Sequence, residues 1–176
     1  MKLNAFSKVS KEQMGTMKEF LDARSVVVWD LENDNLLFGL SKGYCAVATD
    51  YHTGEVTKFT PDNYSDIVKH VKKYDVNAGH SIIGYDLPAL EILLGTKFSV
   101  LPDTLEGKDV YFLDTLVMSK LLNPDRQGGH GLEPWGRRLD SYKINFHDFS
   151  KFTPEMLTYC EQDVNLNVKV LKVLVE

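Results

Sequence analysis

The chain reads as an α/β protein with a central mixed five-stranded sheet flanked by helices. Two observations predict this. Three β signals stand together near the start, the last two joined by a hairpin-sized turn, His52-Thr53-Gly54. Short apolar strands then alternate with helical spacings to the end of the chain. A hairpin block followed by such alternation places antiparallel and parallel strands in one sheet.

The elements follow in order. Residues 1–24 form a helical extension ahead of a domain spanning 25–176. Ser10 with Gln13 resembles a capping box, and Met14, Met17 and Leu21 recur at helical spacing. The extension either packs on its own domain or serves as a docking arm. Ser25 to Glu32, Tyr44 to Tyr51 and Glu55 to Thr60 are strands. Tyr64 to Tyr74 is a helix carrying Ile67, Val68 and Val71, and Asp75 to His80 is a short strand. Asp86 to Leu94 is a helix with Pro88 tolerated in its first turn. Asp109 to Leu113 is a strand running into a helix, Asp114 to Leu122. Pro124, Gly128, Gly129 and Gly131 mark a loop, and Leu132 to Leu139 is helical. Thr153-Pro154-Glu155 opens the last helix with an N-cap, a proline at N1 and an acid in the first turn. That helix runs to about Val175.

Composition narrows the function. The 176 residues, 43% hydrophobic and 26% charged, suit one soluble domain with a substantial core. No apolar stretch approaches a membrane span, and no signal peptide opens the chain. Cys45 and Cys160 are the two cysteines. They make neither a disulfide framework nor a structural zinc site, so a reducing cytoplasm is the default compartment. The net charge of −5 argues against wrapping a long duplex and for a footprint of a few nucleotides.

Four carboxylates carry the chemistry. Asp30 and Glu32 close the apolar run Val26-Val27-Val28-Trp29, and at i and i+2 of a strand they share a face. Two like charges so placed repel unless a cation lies between them. Oxygen ligands suit Mg²⁺ or Mn²⁺ rather than zinc. Asp86 sits at a helix start, where the dipole favours a carboxylate. Tyr159 and Asp163, at i and i+4, share one face of the last helix. Each has an ordinary reading: a loop-edge acid pair, an N-terminal helix acid, a half-buried packing tyrosine. Spacing alone does not choose between these and a metal centre.

The segments W-D-L-E-N-D-N-L-L, G-H-S-I-I-G-Y-D-L-P-A-L, D-T-L-V-M-S-K-L-L, G-H-G-L-E-P-W-G-R-R-L and Y-C-E-Q-D occur in that order between Trp29 and Asp163. Together they resemble the proofreading exonuclease domain of bacteriophage family A DNA polymerases, a member of the DEDD 3′→5′ exonucleases in its tyrosine subgroup. The resemblance implies a ribonuclease H-like fold and two divalent cations, Mg²⁺ or Mn²⁺. It implies that Asp30 bridges both metals, that Glu32 and Asp163 complete the site of the water-activating metal, and that Asp86 serves the second. Tyr159 would orient the attacking water, and Leu36 would wedge against the terminal base. Ser81 stands where the family carries an asparagine, and His130 matches a histidine near the substrate cleft. Arg137, Arg138, Lys120 and Lys143 are candidate phosphate contacts.

These readings lead us to expect a two-metal 3′→5′ exonuclease on single-stranded DNA 3′ ends, serving phage DNA replication or proofreading. The alternatives are an RNA or oligoribonucleotide exonuclease of the same class, or a module that keeps the fold to bind a polymerase or host factor. A separate DNA polymerase subunit is a candidate partner, and a membrane is not. Starting at Met1 with an extension, the sequence favours a complete small protein over an excised domain.

Overall fold

The computed structural model describes residues 15–98, 103–105 and 108–176. The expected Ser10–Gln13 cap lies outside them. The described cap lies six residues further on: Thr16 and Glu19 form a capping box on α1 (Met17–Asp22). Leu21 of this helix is fully buried against the sheet.

The strands are β1 (Val26–Asn33), β2 (Gly43–Asp50), β3 (Val56–Phe59), β4 (Val76–Gly79), β5 (Asp103–Leu105) and β6 (Lys108–Asp114). They lie in the order β3-β2-β1-β4-β6-β5. β2 runs antiparallel to both β1 and β3, whereas β4 runs parallel to both β1 and β6. This is the mixed five-stranded sheet, with β5 added as a short antiparallel sixth strand beside β6. The sequence expectation lacked β5, because three residues with a polar start give no readable periodicity.

Period-2 alternation along β1 sorts its side chains between two cores. Val27, Trp29 and Leu31 face one side, against α2 (Asp66–Val71) and α3 (Asp86–Leu94), where Ile67, Val71, Leu87 and Leu90 complete the layer. Val26 and Val28 face the other, against Met156, Cys160 and Val164 of α6 (Pro154–Val175). Thr153 caps α6 by accepting the Met156 N–H at 3.2 Å. The remaining helices are α4 (Thr115–Leu122) and α5 (Leu132–Arg138). Trp135 of α5 packs on Leu166, Val170 and Leu174 of α6. Among the described residues, no helix is long and apolar enough to cross a membrane.

A close contact fixes the end of β1. The Tyr64 hydroxyl donates to Asn33 Oδ1 at 2.8 Å, and its ring lies against Gly43, where a Cβ would come within 2.3 Å of ring carbons. Because Tyr64 is buried, Gly43→Ala must displace the ring or the strand. We expect a loss of about 2–3 kcal/mol, read as a melting point roughly 5–10 °C lower. An unchanged melting point would mean that the ring moves aside freely.

Candidate active site

The site stands where the C-terminal end of β1 meets α3 and α6. Asp30 and Glu32 occupy the β1 face that looks toward α6, the same face as Val26 and Val28. Asp86 is the first residue of α3, and Tyr159, Cys160 and Asp163 lie on α6. The Asp30 and Asp86 carboxyls are within hydrogen-bonding reach. Ligand atoms of Asp30, Glu32 and Cys160 all lie within 4.8 Å of one another. The Cys160 thiol donates to the Asp30 carbonyl at 3.6 Å, tying α6 to β1 at this level. Asp30, Glu32, Asp86, Tyr159 and Asp163 are therefore brought into one cluster.

Electrostatics mark the cluster as unsatisfied by protein alone. Burial, then the neighbouring Asp163 charge, pushes Asp30 up to about 7. Burial and the Asp30 charge push Glu32 up to about 10. Asp86 is raised well above the carboxylate range by burial and by Asp30. Burial also raises Asp163, while Lys143 pulls against it. Oδ1 of Asp86 and Oδ1 of Asp163 are buried without a hydrogen-bond partner. Buried carboxylate oxygens are normally paired, and unpaired ones are costly. Four carboxylates, two of them with an orphaned oxygen, fit hard divalent cations such as Mg²⁺ or Mn²⁺, while the nearby Cys160 thiol is engaged by the Asp30 carbonyl.

Lys143 enters from the segment between α5 and α6. Its Nζ lies 2.5 Å from Asp163 Oδ2 and donates to the Tyr159 hydroxyl at 3.1 Å. The sequence suggested Lys143 as a phosphate contact, but its partners are two members of the cluster. No spacing rule reaches it, since it lies in irregular chain. Tyr159 is stacked on Phe146 at 5.5 Å between centroids and meets Phe149 edge-on at 6.2 Å. Burial raises its hydroxyl to about 12, so it remains protonated at neutral pH.

The turn before Asp86 is held by a residue the sequence presented only as a helix start. Asp114 caps α4, accepting from the Leu116 and Val117 N–H groups, and it also accepts from Ser81 N–H at 3.0 Å and Ile83 N–H at 3.2 Å. Ser81 sits at φ 68°, in the left-handed region that non-glycine residues rarely enter. Asp114 thus supports a strained turn that aims Asp86 at β1. Beside it, His80 Nδ1 lies 2.9 Å from Thr115 Oγ1, and burial lowers the ring to about 4, so it is neutral at working pH.

Two clefts open from the cluster. One, of about 360 Å³, is lined by Glu32, Asn33, Leu36, Tyr85 and Phe149. Its lip is fixed by hydrogen bonds: Asn33 Nδ2 donates to the Tyr85 hydroxyl at 3.2 Å, which donates to the Asn35 carbonyl at 2.8 Å. Leu36 stands on this lip, 74% exposed. The other, of about 550 Å³, runs past Tyr159, Lys143, Tyr142 and Phe146 to Arg137.

His130 does not line either cleft. Its Nδ1 lies 2.9 Å from Ser119 Oγ, and its Nε2 lies 3.2 Å from the Pro124 carbonyl. The ring closes the glycine-rich loop onto α4, with the Trp135 indole N–H donating to the same Ser119 oxygen. Arg137 pairs with Glu133, Arg138 donates to the Gln127 carbonyl, and Lys120 is exposed.

No family model matches the chain. It is 28% identical to the DNA-directed DNA polymerase of Enterobacteria phage T3 and 26% identical to that of Escherichia phage T7, in each case over 85% of this chain and 26% of the polymerase. The chain thus spans about a quarter of the length of these curated relatives. Brucella melitensis NrnC with bound Mg²⁺ superposes with a TM-score of 0.64 at 19% identity, over 85% of this chain and 71% of that one. The family B DNA polymerase of the archaeon Pyrobaculum calidifontis gives 0.64 at 16% identity, over 86% of this chain and 24% of that one. At such identities the structural likeness is one of fold, and the sequence relation to the phage polymerases agrees with it. The chain therefore has the ribonuclease H-like fold of the DEDD 3′→5′ exonucleases.

Proposed function

We propose that the protein is a metal-dependent 3′→5′ exonuclease that shortens single-stranded DNA ends. The observation that carries this reading is that Asp30 interacts with Glu32, Asp86 and Asp163 at once, with two buried carboxylate oxygens left unpaired. Two divalent cations held by these four residues would stabilise charge on the scissile phosphate and acidify a water. The protein's own groups do the rest. The protonated Tyr159 hydroxyl, fixed by Lys143 and by the Phe146 stack, donates to the attacking water and orients its lone pair. The cleft between Leu36 and Phe149 takes the terminal nucleoside. Ser81 offers its hydroxyl to the strand at the turn before Asp86.

Tyr159→Phe should slow hydrolysis by about one to two orders of magnitude, in keeping with loss of one positioning group in proton-transfer chemistry. Mn²⁺ titration calorimetry on this variant should match wild type. A collapse of metal binding would make Tyr159 a structural support instead.

Substrate choice follows from charge and shape. With a net charge of −5 the surface offers little grip on a long duplex. Unpairing a terminal base costs a few kcal/mol, so blunt duplex ends should be cut at least tenfold more slowly than single strands. Strands labelled at one end and blocked at the other, incubated with Mg²⁺, Mn²⁺ or EDTA, test this. Release from the 5′ end, equal rates on both substrates or activity in EDTA would refute the proposal. A second reading, an exonuclease on short RNA, gains support because Brucella melitensis NrnC, of similar fold, has been solved with pGG bound. The same assay on RNA of equal sequence decides between them.

A further inference from the structure

We infer that Phe38 is a stacking platform for a nucleobase just inside the strand end, an inference that rests on the exonuclease reading. Phe38 is 98% exposed. It is the most exposed large hydrophobic side chain among the described residues, and an exposed ring face is free to stack. The loop that bears it is not slack. Asp34 accepts from the Ser41 N–H and the Lys42 N–H, each at 3.0 Å, and from the Ser41 hydroxyl. The Asp34 N–H donates to the Lys42 carbonyl, and Asn35 Oδ1 takes the Leu36 N–H at 2.8 Å. Gly39, at φ 94°, turns the chain back. Within this closed loop Leu37 packs on the core and Leu40 is buried, whereas Leu36 and Phe38 point outward.

Phe38 follows Leu36 by two residues. Leu36 lines the cleft that holds Glu32 and Phe149. Two residues of chain span at most about 7 Å, or roughly two stacked base steps at 3.4 Å each. A strand whose terminal nucleoside rests against Leu36 therefore brings its second to fourth base over Phe38. A flat apolar ring accepts any base, which matches a sequence-tolerant grip. The occupant is a nucleobase rather than a protein side chain, because the ring lies two residues from Leu36, which lines a cleft that also holds Glu32.

The test compares thymidine 5′-(4-nitrophenyl) phosphate, which carries one nucleoside, with the decamer dT10. Both are run with the full chain and Mn²⁺. Phe38→Ala should raise KM on dT10 about tenfold more than on the ester, equivalent to about 1.4 kcal/mol. Phe38→Trp should restore it. A decamer with one abasic residue at the second, third or fourth position should lose affinity in wild type at one of these positions. At that position Phe38→Ala should add no further loss. An unchanged melting point shows that the variant folds. Equal effects on ester and decamer, or losses that add at every abasic position, would overturn the platform. Wild-type protein that cleaves neither substrate would overturn the exonuclease reading itself.

Discussion

Replacing Asp30 with alanine should abolish hydrolysis and, without metal, raise the melting temperature. Asp30 is the carboxylate whose neighbours are all other acids of the cluster: Glu32 beside it on β1, Asp86 within hydrogen-bonding reach and Asp163 across from it on α6. In the proposed reaction this central position serves the shared charge of the cations, which contributes several kcal/mol of transition-state stabilisation. Its removal should cost at least about 10³-fold in rate. Without cations the same position is a liability, because Asp30 is pushed up to about 7 by burial and by Asp163. Removing it relieves both Glu32 and Asp86, each of which its charge pushes up. Melts in EDTA at pH 8 paired with nuclease rates in Mn²⁺ check both halves. Turnover near wild type would rule out the central role, and a lower melting point would show that Asp30 is needed for the fold.

The parts of the site that were legible in the sequence are those set by local periodicity. Asp30 and Glu32 could be placed on one face because strand period is 2 whatever the fold around it. Tyr159 and Asp163 could be placed together because helix period is 3.6, and Asp86 because a helix start attracts acids. Their meeting was not readable from spacing. It depends on α6 crossing β1 and β2, and only the ordered resemblance of five motifs pointed to it. What stayed hidden depends on tertiary contact. Lys143 reaches Asp163 from chain with no period. Asp114 looks like any N-cap, yet it also holds the turn at Ser81. His130, expected near substrate, has both ring nitrogens engaged within the protein, a fact fixed by Ser119 eleven residues away. Thr16–Glu19 carries the same local capping signature as Ser10–Gln13, which lies outside the described residues, and it opens the helix that buries Leu21.

In EDTA, the protein should lose stability as pH rises from 6.5 to 8.5, and Mn²⁺ or Mg²⁺ should flatten the loss. Unfolded carboxyls titrate near 4 and are ionised throughout this window. The folded cluster is not: Asp30 is raised to about 7 and Glu32 to about 10. The native state therefore binds more protons than the unfolded chain, and stability must fall as pH rises through the folded values. Below about 6.5 the trend is offset by His80. Its pKa is lowered to about 4 by burial, so the unfolded chain gains a proton there that the native state does not take up. Above 6.5 that opposition is gone. One retained proton changes stability by about 1.4 kcal/mol per pH unit, so two units amount to roughly 1–3 kcal/mol for a coupled cluster. In a chain of this size that is a fall of roughly 5–10 °C in melting temperature. Cations take the place of the protons, so their stabilisation should grow with pH as well as with concentration. Glu32→Gln removes one of the carboxyls raised across the window and should reduce the slope without metal. A melting temperature that holds or rises from pH 6.5 to 8.5 in EDTA would mean that the four carboxylates are already ionised and separately solvated. They would then form no site that calls for a metal pair.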